Sequence, residues 1–160
     1  MEEIIDKIIE EIKLMNAVDH MDGGIADFLE LTDVKWDDPG LVLLDEYPYA
    51  FVAPAFDENK HETVGRVGYD VRNNLISVVF VINQSDYFDP TVSEVPGSRL
   101  LVRAARNLRR WLRRKDKIQL GGLARNIVVQ SANYVPDVRG EAFVRTAIIT
   151  LLVESQDQHQ

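Results

Sequence analysis

The 160 residues suit one domain of ordinary size, and the 46% that are hydrophobic place the chain among globular proteins and away from disordered ones. It has no cysteine, which excludes disulfides, thiolate chemistry and Cys-based metal sites. The formal net charge of -8 is unevenly spread: residues 1–96 hold 21 of the 26 acids, while residues 99–117 hold nine of the 18 Lys and Arg.

Met1 to about Val18 reads as an amphipathic helix. Ile4, Ile8 and Met15 fall on one stripe with Ile5, Ile9 and Ile12 beside it, near the 3.6-residue period. Glu2, Glu3, Asp6, Glu10 and Glu11 stand where a signal peptide would be basic. No apolar run approaches the ~20 residues of a membrane span. The expectation is cytoplasmic synthesis and no membrane partner. Residues 25–46 show no clear period and read as irregular, with a turn at Asp37-Asp38-Pro39-Gly40.

Tyr49 to Ala55 is expected to be a first strand, bracketed by Pro48 and Pro54. Polar residues from Phe56 to Glu62 suggest a loop. Thr63 to Arg72 and Leu75 to Asn83 then read as two strands joined at Asn73-Asn74, because Asn tolerates the positive φ of a two-residue turn. That register sets Val71 opposite Ile76, Tyr69 opposite Val78 and Val67 opposite Phe80, one apolar face. Gln84 to Gly97 is a long connection. Ser98 is placed to cap a helix from Arg99 to about Lys115, with Leu101, Ala104, Ala105, Leu108, Trp111 and Leu112 inward and an arginine row outward. Gly121-Gly122 breaks the chain. Asn126 to Val135 and Ala142 to Glu154 are two further strands joined around Pro136–Gly140. Both faces of the last strand are largely apolar, so a helix or a partner is expected over part of the second face.

The expected architecture is α+β: an about five-stranded, mostly antiparallel sheet with the N-terminal helix and the second amphipathic helix packed on one face. It forms a single domain over 1–160, with a helical and irregular part at 1–47, a core at 48–154 and a frayed tail at 155–160.

Catalytic signatures are missing. There is no Gly-x-Ser-x-Gly elbow, no phosphate-loop pattern and no His-x-x-x-His or EF-hand spacing. His20, His61 and His159 fall in a turn, a loop and the tail. Asp19-His20-Met21-Asp22 is the nearest approach to a metal cluster, and it reads as a solvated helix end. We therefore expect no enzyme, no metal and no cofactor. The arginine helix is the feature that asks for a partner. Its face could be solvated or paired within the chain, could meet acids on a neighbouring subunit through bidentate Arg–carboxylate contacts, or could bind nucleic acid with the Arg-rich segment 99–117. Acidity overall and the lack of an aromatic platform weigh against nucleic acid. Candidate interface residues are Arg99, Arg103, Arg106, Arg110 and Arg113. Asp57 and Glu58 on one loop and Tyr87 and Phe88 on the other complete the set.

The order of elements resembles the tail-terminator and neck (head–tail joining) proteins of long-tailed bacteriophages. The residues carrying the likeness are Tyr49-Ala50-Phe51-Val52, the segment through Asn73-Asn74, the helix Leu100 to Leu112, Leu120-Gly121-Gly122, and the run from Arg145 to Val153. The resemblance spans roughly residues 48–154 and rests on the pattern of elements, with no signature motif. It implies a subunit that self-associates into a ring, commonly a hexamer, which caps the tail tube and docks to the head connector, with DNA at most passing through. It further implies host cytoplasm and then the virion as its location. It transfers no residue-level site. The acidic first helix and residues 25–46 depart from the pattern.

Overall fold

The computed structural model describes residues 1–21, 29–64, 67–83, 97–114 and 117–158, with residues 18–21, 59–64, 67–70 and 156–158 described by backbone alone. Among the described residues, two helices, α1 (Glu2–Met21) and α2 (Gly97–Leu112), lie against a five-stranded mixed sheet. Its strands are β1 (Asp33–Trp36), β2 (Tyr49–Val64), β3 (Val67–Asn83), β4 (Asn126–Arg139) and β5 (Ala142–Gln158), in the spatial order β1-β2-β3-β5-β4. β1 runs parallel to β2, and every other pairing is antiparallel. The α+β class, the mostly antiparallel sheet and the leading helix are as the sequence implies.

The helices take the places their periodicity dictates. Ile4, Ile5, Ile8, Ile12 and Met15 of α1 are buried, and so are Leu101, Ala104, Ala105, Leu108, Trp111 and Leu112 of α2. Both helices share one core with Ala50 and Val52 of β2, Ile76, Val78, Phe80 and Ile82 of β3, and Ala147, Ile149, Leu151 and Val153 of β5. α2 begins at Gly97, so Ser98 lies inside its first turn and does not cap it. Three residues with positive φ, Leu120, Gly121 and Gly122, turn the chain from the helix layer into β4. Gly121 (φ 67) and Gly122 (φ 98) occupy a region where a side chain would be strained.

The strand boundaries correct four expectations. First, Asn73-Asn74 is not a turn. β3 passes straight through it, and Val71 lies opposite Lys60, not Ile76. The apolar positions change parity here: Val71, Val79 and Val81 take odd numbers, while Ile76, Val78, Phe80 and Ile82 take even ones. Such a flip imitates a two-residue turn, but it marks a strand buried on both sides. Asn74 is buried on the helix side, and its amide donates to the Val153 carbonyl and the Ser155 hydroxyl, both at 3.2 Å. Second, Phe56 to Glu62 is strand, not loop. β2 continues to Val64, which pairs with Val67.

Third, the irregular segment contains a strand. β1 pairs with Tyr49–Val52, and its entry is held by Asn16 of α1. That side chain bonds the Leu31 carbonyl at 3.2 Å and the Leu31 N–H at 3.0 Å, much as a neighbouring strand would. β1 ends opposite Val52, so the prolyl nitrogen at 54 faces no ladder partner on that side, which is where a strand tolerates proline. Fourth, the last hairpin is tighter than expected and its strand longer. β4 runs to Arg139, only Gly140 (φ 62) and Glu141 form the turn, and β5 extends to Gln158, so Ser155–Gln158 are strand where a frayed tail was expected.

Among the described residues, the second face of the sheet is covered in part by the chain's own irregular segment and carries no helix. Tyr47, Tyr49, Phe51, Val79, Val81 and Val144 form a smaller core there, closed by Val42, Ala53, Ala142 and Ile148.

Candidate interaction surfaces

α2 presents its arginines on the side away from the sheet, because the 3.6-residue period that buries Leu101, Leu108 and Leu112 turns the remaining positions outward. Arg99, Arg106, Arg109, Arg110 and Arg113 are exposed, and the helix contains no acid. Among the described residues, these five make no ion pair. Arg103, expected on the same face, is half-buried. The guanidinium of Arg114 stacks over the Trp111 ring at 4.2 Å. Asp57 and Glu58 are exposed on β2, with Glu58 accepting from the Asn73 amide across the strand pair at 3.5 Å. They sit on a strand, not on the expected loop. Tyr87, Phe88 and the whole connection 84–96 lie outside the described residues, as do the side chains of His20, His61 and His159.

Two polar clusters were not legible in the sequence. The first joins the helices. Glu11 is buried on the inner side of α1, where Trp111 Nε1 donates to Oε2 at 2.9 Å and Lys117 Nζ lies 3.1 Å from the same oxygen. Lys7 Nζ stands 4.0 Å from Oε1. The second cluster lies on the other face. Arg139 holds Asp38 through both terminal nitrogens, at 2.5 and 3.2 Å, and its Nε is 3.6 Å from Asp137. The guanidinium carbon lies 5.5 Å from the Phe51 ring centre. Tyr47 and Tyr49 pack beneath with ring centres 5.2 Å apart. Burial raises both phenols, Tyr49 to about 12, so they stay neutral. Asp38 supplies one sequence signal after all. The Asp-Asp-Pro-Gly turn is present, with Gly40 N–H bonding Asp38 Oδ1 at 2.9 Å, and the same carboxylate reaches the distant arginine.

The Arg139 hydrogen bonds, aided by the Gly40 N–H, hold the Asp38 carboxyl below its ordinary value of 3.8. A depressed folded-state pKa stabilises above the unfolded pKa, and the gain is lost as pH falls through the folded one. Asp38 is 44% exposed, so solvent screens the pair. Asp38→Asn is expected to cost less than about 1 kcal/mol at neutral pH. Urea unfolding at a series of pH values should show that gap steady down to about pH 4 and closing below it.

Exposed large apolar side chains gather in two places, while Leu14, Trp36, Phe56 and Val102 are exposed elsewhere. Leu41, Leu43 and Leu44 lie over the β4–β5 hairpin, with a Leu41 methyl 3.0 Å from where a Cβ on Gly140 would stand. They border a cleft of about 540 Å³ also lined by Arg139 and Ala142. The second place is β4 itself, with Val128, Tyr134, Val135 and Val138 exposed, and Phe143 beside them on β5.

Among the described residues, no group of three or more His, Asp or Glu is placed to hold a metal ion, and no helix is long and apolar enough to cross a membrane. The chain matches no family model, and it matches no curated protein.

Proposed function

We propose that this protein is a non-catalytic structural subunit that works by self-association, in the manner of the phage tail terminators its element order resembles. In that role it forms a ring, commonly six-fold in that family, at the end of a tail tube, meets tube and head-connector proteins on its two sides, and passes from host cytoplasm into the virion. The observation that carries the reading is the division of the outer surface into unlike patches. α2 with the residue that follows it offers five exposed arginines and no acid, while the segment over the opposite sheet face offers Leu41, Leu43 and Leu44 beside Asp37 and Asp45, with Asp38 and Glu46 there paired to Arg139 and Lys35. A ring is closed by heterologous contacts, one patch meeting a different patch on the next copy. A basic helix and an acidic, apolar ledge are complementary in that sense.

Light scattering coupled to chromatography at low salt, with electron microscopy of the same fractions, tests it. The expected result is a closed ring that weakens as salt rises. A monomer at every concentration and salt sinks the reading. The exposed arginine row also favours a second reading, a nucleic-acid-binding module. It predicts a low-salt mobility shift abolished by Arg106→Glu with Arg110→Glu, and no shift by the unaltered protein removes it.

A further inference from the structure

β4 closes the sheet on one side, and among the described residues β5 is its sole backbone partner. One row of its backbone N–H and C=O groups therefore points away from the sheet. Natural proteins blunt such edges with charge, proline or shortness. The far edge follows that rule: β1 has four residues, two of them charged, and the uncovered part of β2 carries Pro54, Asp57 and Glu58. β4 does not. From Asn126 to Val135 it runs ten residues without a charge, a proline or a glycine, in a chain of net charge -8. Pro136, Asp137 and Arg139 guard only its hairpin end, and within the ten-residue run the one irregularity is a bulge between Val129 and Ser131. Val128, Tyr134 and Val135 remain 42%, 44% and 40% exposed along it. A long, uncharged edge with apolar side chains is a pairing surface.

We infer that this edge pairs with the same strand of a second copy, antiparallel about a two-fold axis, so that two five-stranded sheets become one. The partner is read from charge and chemistry. A two-fold contact brings a patch against itself, so a charged patch would repel itself, whereas residues 126–135 carry none. Asn126, Gln130 and Asn133 have amides that both donate and accept, and can therefore bond their own kind across the axis.

The other free edge is a poorer match. Following the registers across the sheet, Val135 stands level with Thr146, Val81 and Tyr49, and Ala132 with Ile149, Val78 and Val52. At those levels β1 already covers β2. Only Asn126–Ser131 stand level with open β2, and there Phe56 is flanked by Pro54, Asp57 and Glu58. The two-fold contact is of a different kind from the ring contact proposed above and does not depend on it.

The chain has no cysteine, so single substitutions report cleanly. Val128→Cys, Gln130→Cys, Asn133→Cys and Val135→Cys, treated with a short bis-maleimide, should cross-link to dimers with yield peaking at one position and falling on both sides, as distance from a two-fold axis requires. Phe56→Cys on β2 should give none. At high salt, where the charge-based ring contact is weakened, Val128→Lys with Tyr134→Lys, both at exposed sites, should convert the dimer seen by light scattering to monomer while circular dichroism stays unchanged. Flat or absent cross-linking overturns the inference. So does a dimer that survives both lysines at high salt, and that outcome leaves the ring reading standing.

Discussion

Phe80→Ala should lower the folding stability by about 3–5 kcal/mol, among the largest losses expected of a single truncation at the described residues. Phe80 is 1% exposed near the C-terminal end of β3, the central strand, on the side facing the helices. Its cross-strand neighbours are Ala50 on β2 and Ala147 on β5, both fully buried. The ring fills the space that two methyl side chains leave beneath the helix layer. Truncation would set three alanines in a row across the sheet and open a cavity that rigid strands cannot close. With total stabilities of domains near 5–15 kcal/mol, such a variant would be close to unfolding. Phe80→Leu keeps most of the volume and should cost about 1–2 kcal/mol. Urea midpoints with the slope held common measure both. A loss below about 1 kcal/mol for the alanine variant would mean that Phe80 is not the centre of this layer.

Glu11→Ala is expected to cost about 3 kcal/mol, toward the lower end for breaking a buried pair because Lys117 is 20% exposed and can reach water. The carboxylate lies between α1, the Trp111 indole of α2 and the turn that carries Lys117. Removing it strands a buried indole N–H and a half-buried ammonium, and an unmade bond at a buried group costs more than the bond contributes when formed. Glu11→Gln keeps an oxygen for Trp111 Nε1 and loses only the charge, so about half the alanine penalty should return. Denaturation of the two variants beside Glu11→Leu separates the terms. An equally stable leucine variant would show that the cluster chooses the helix packing and adds little net stability.

These two sites also divide what was legible from what was not. Phe80 sits in an alternating run whose apolar side was plain, although the reading gave it the wrong partner. Glu11 was read as one of several acids near a helix start. Its burial depends on Trp111 and Lys117, a hundred residues away, and no local pattern records that. The arginine row was legible because a helical period separates inner from outer faces within a few turns. The exposure of the β4 edge was not, since an edge strand and a central strand can share one sequence pattern, and only strand order decides which has a second neighbour.

By itself the sequence determined the two helices and their buried stripes, the Gly121-Gly122 turn, the last two strands and the absence of thiol chemistry. These follow from covalent composition and from periods that a single element satisfies within its own length. Tertiary structure alone decided that Asn73-Asn74 lies within a strand, that Asp33–Trp36 joins the sheet in parallel, and that Tyr47 and Tyr49 line a second core. Each depends on what covers the other face: a residue buried on one side of a sheet and a residue at a turn can show the same local parity, and only packing between distant segments separates them.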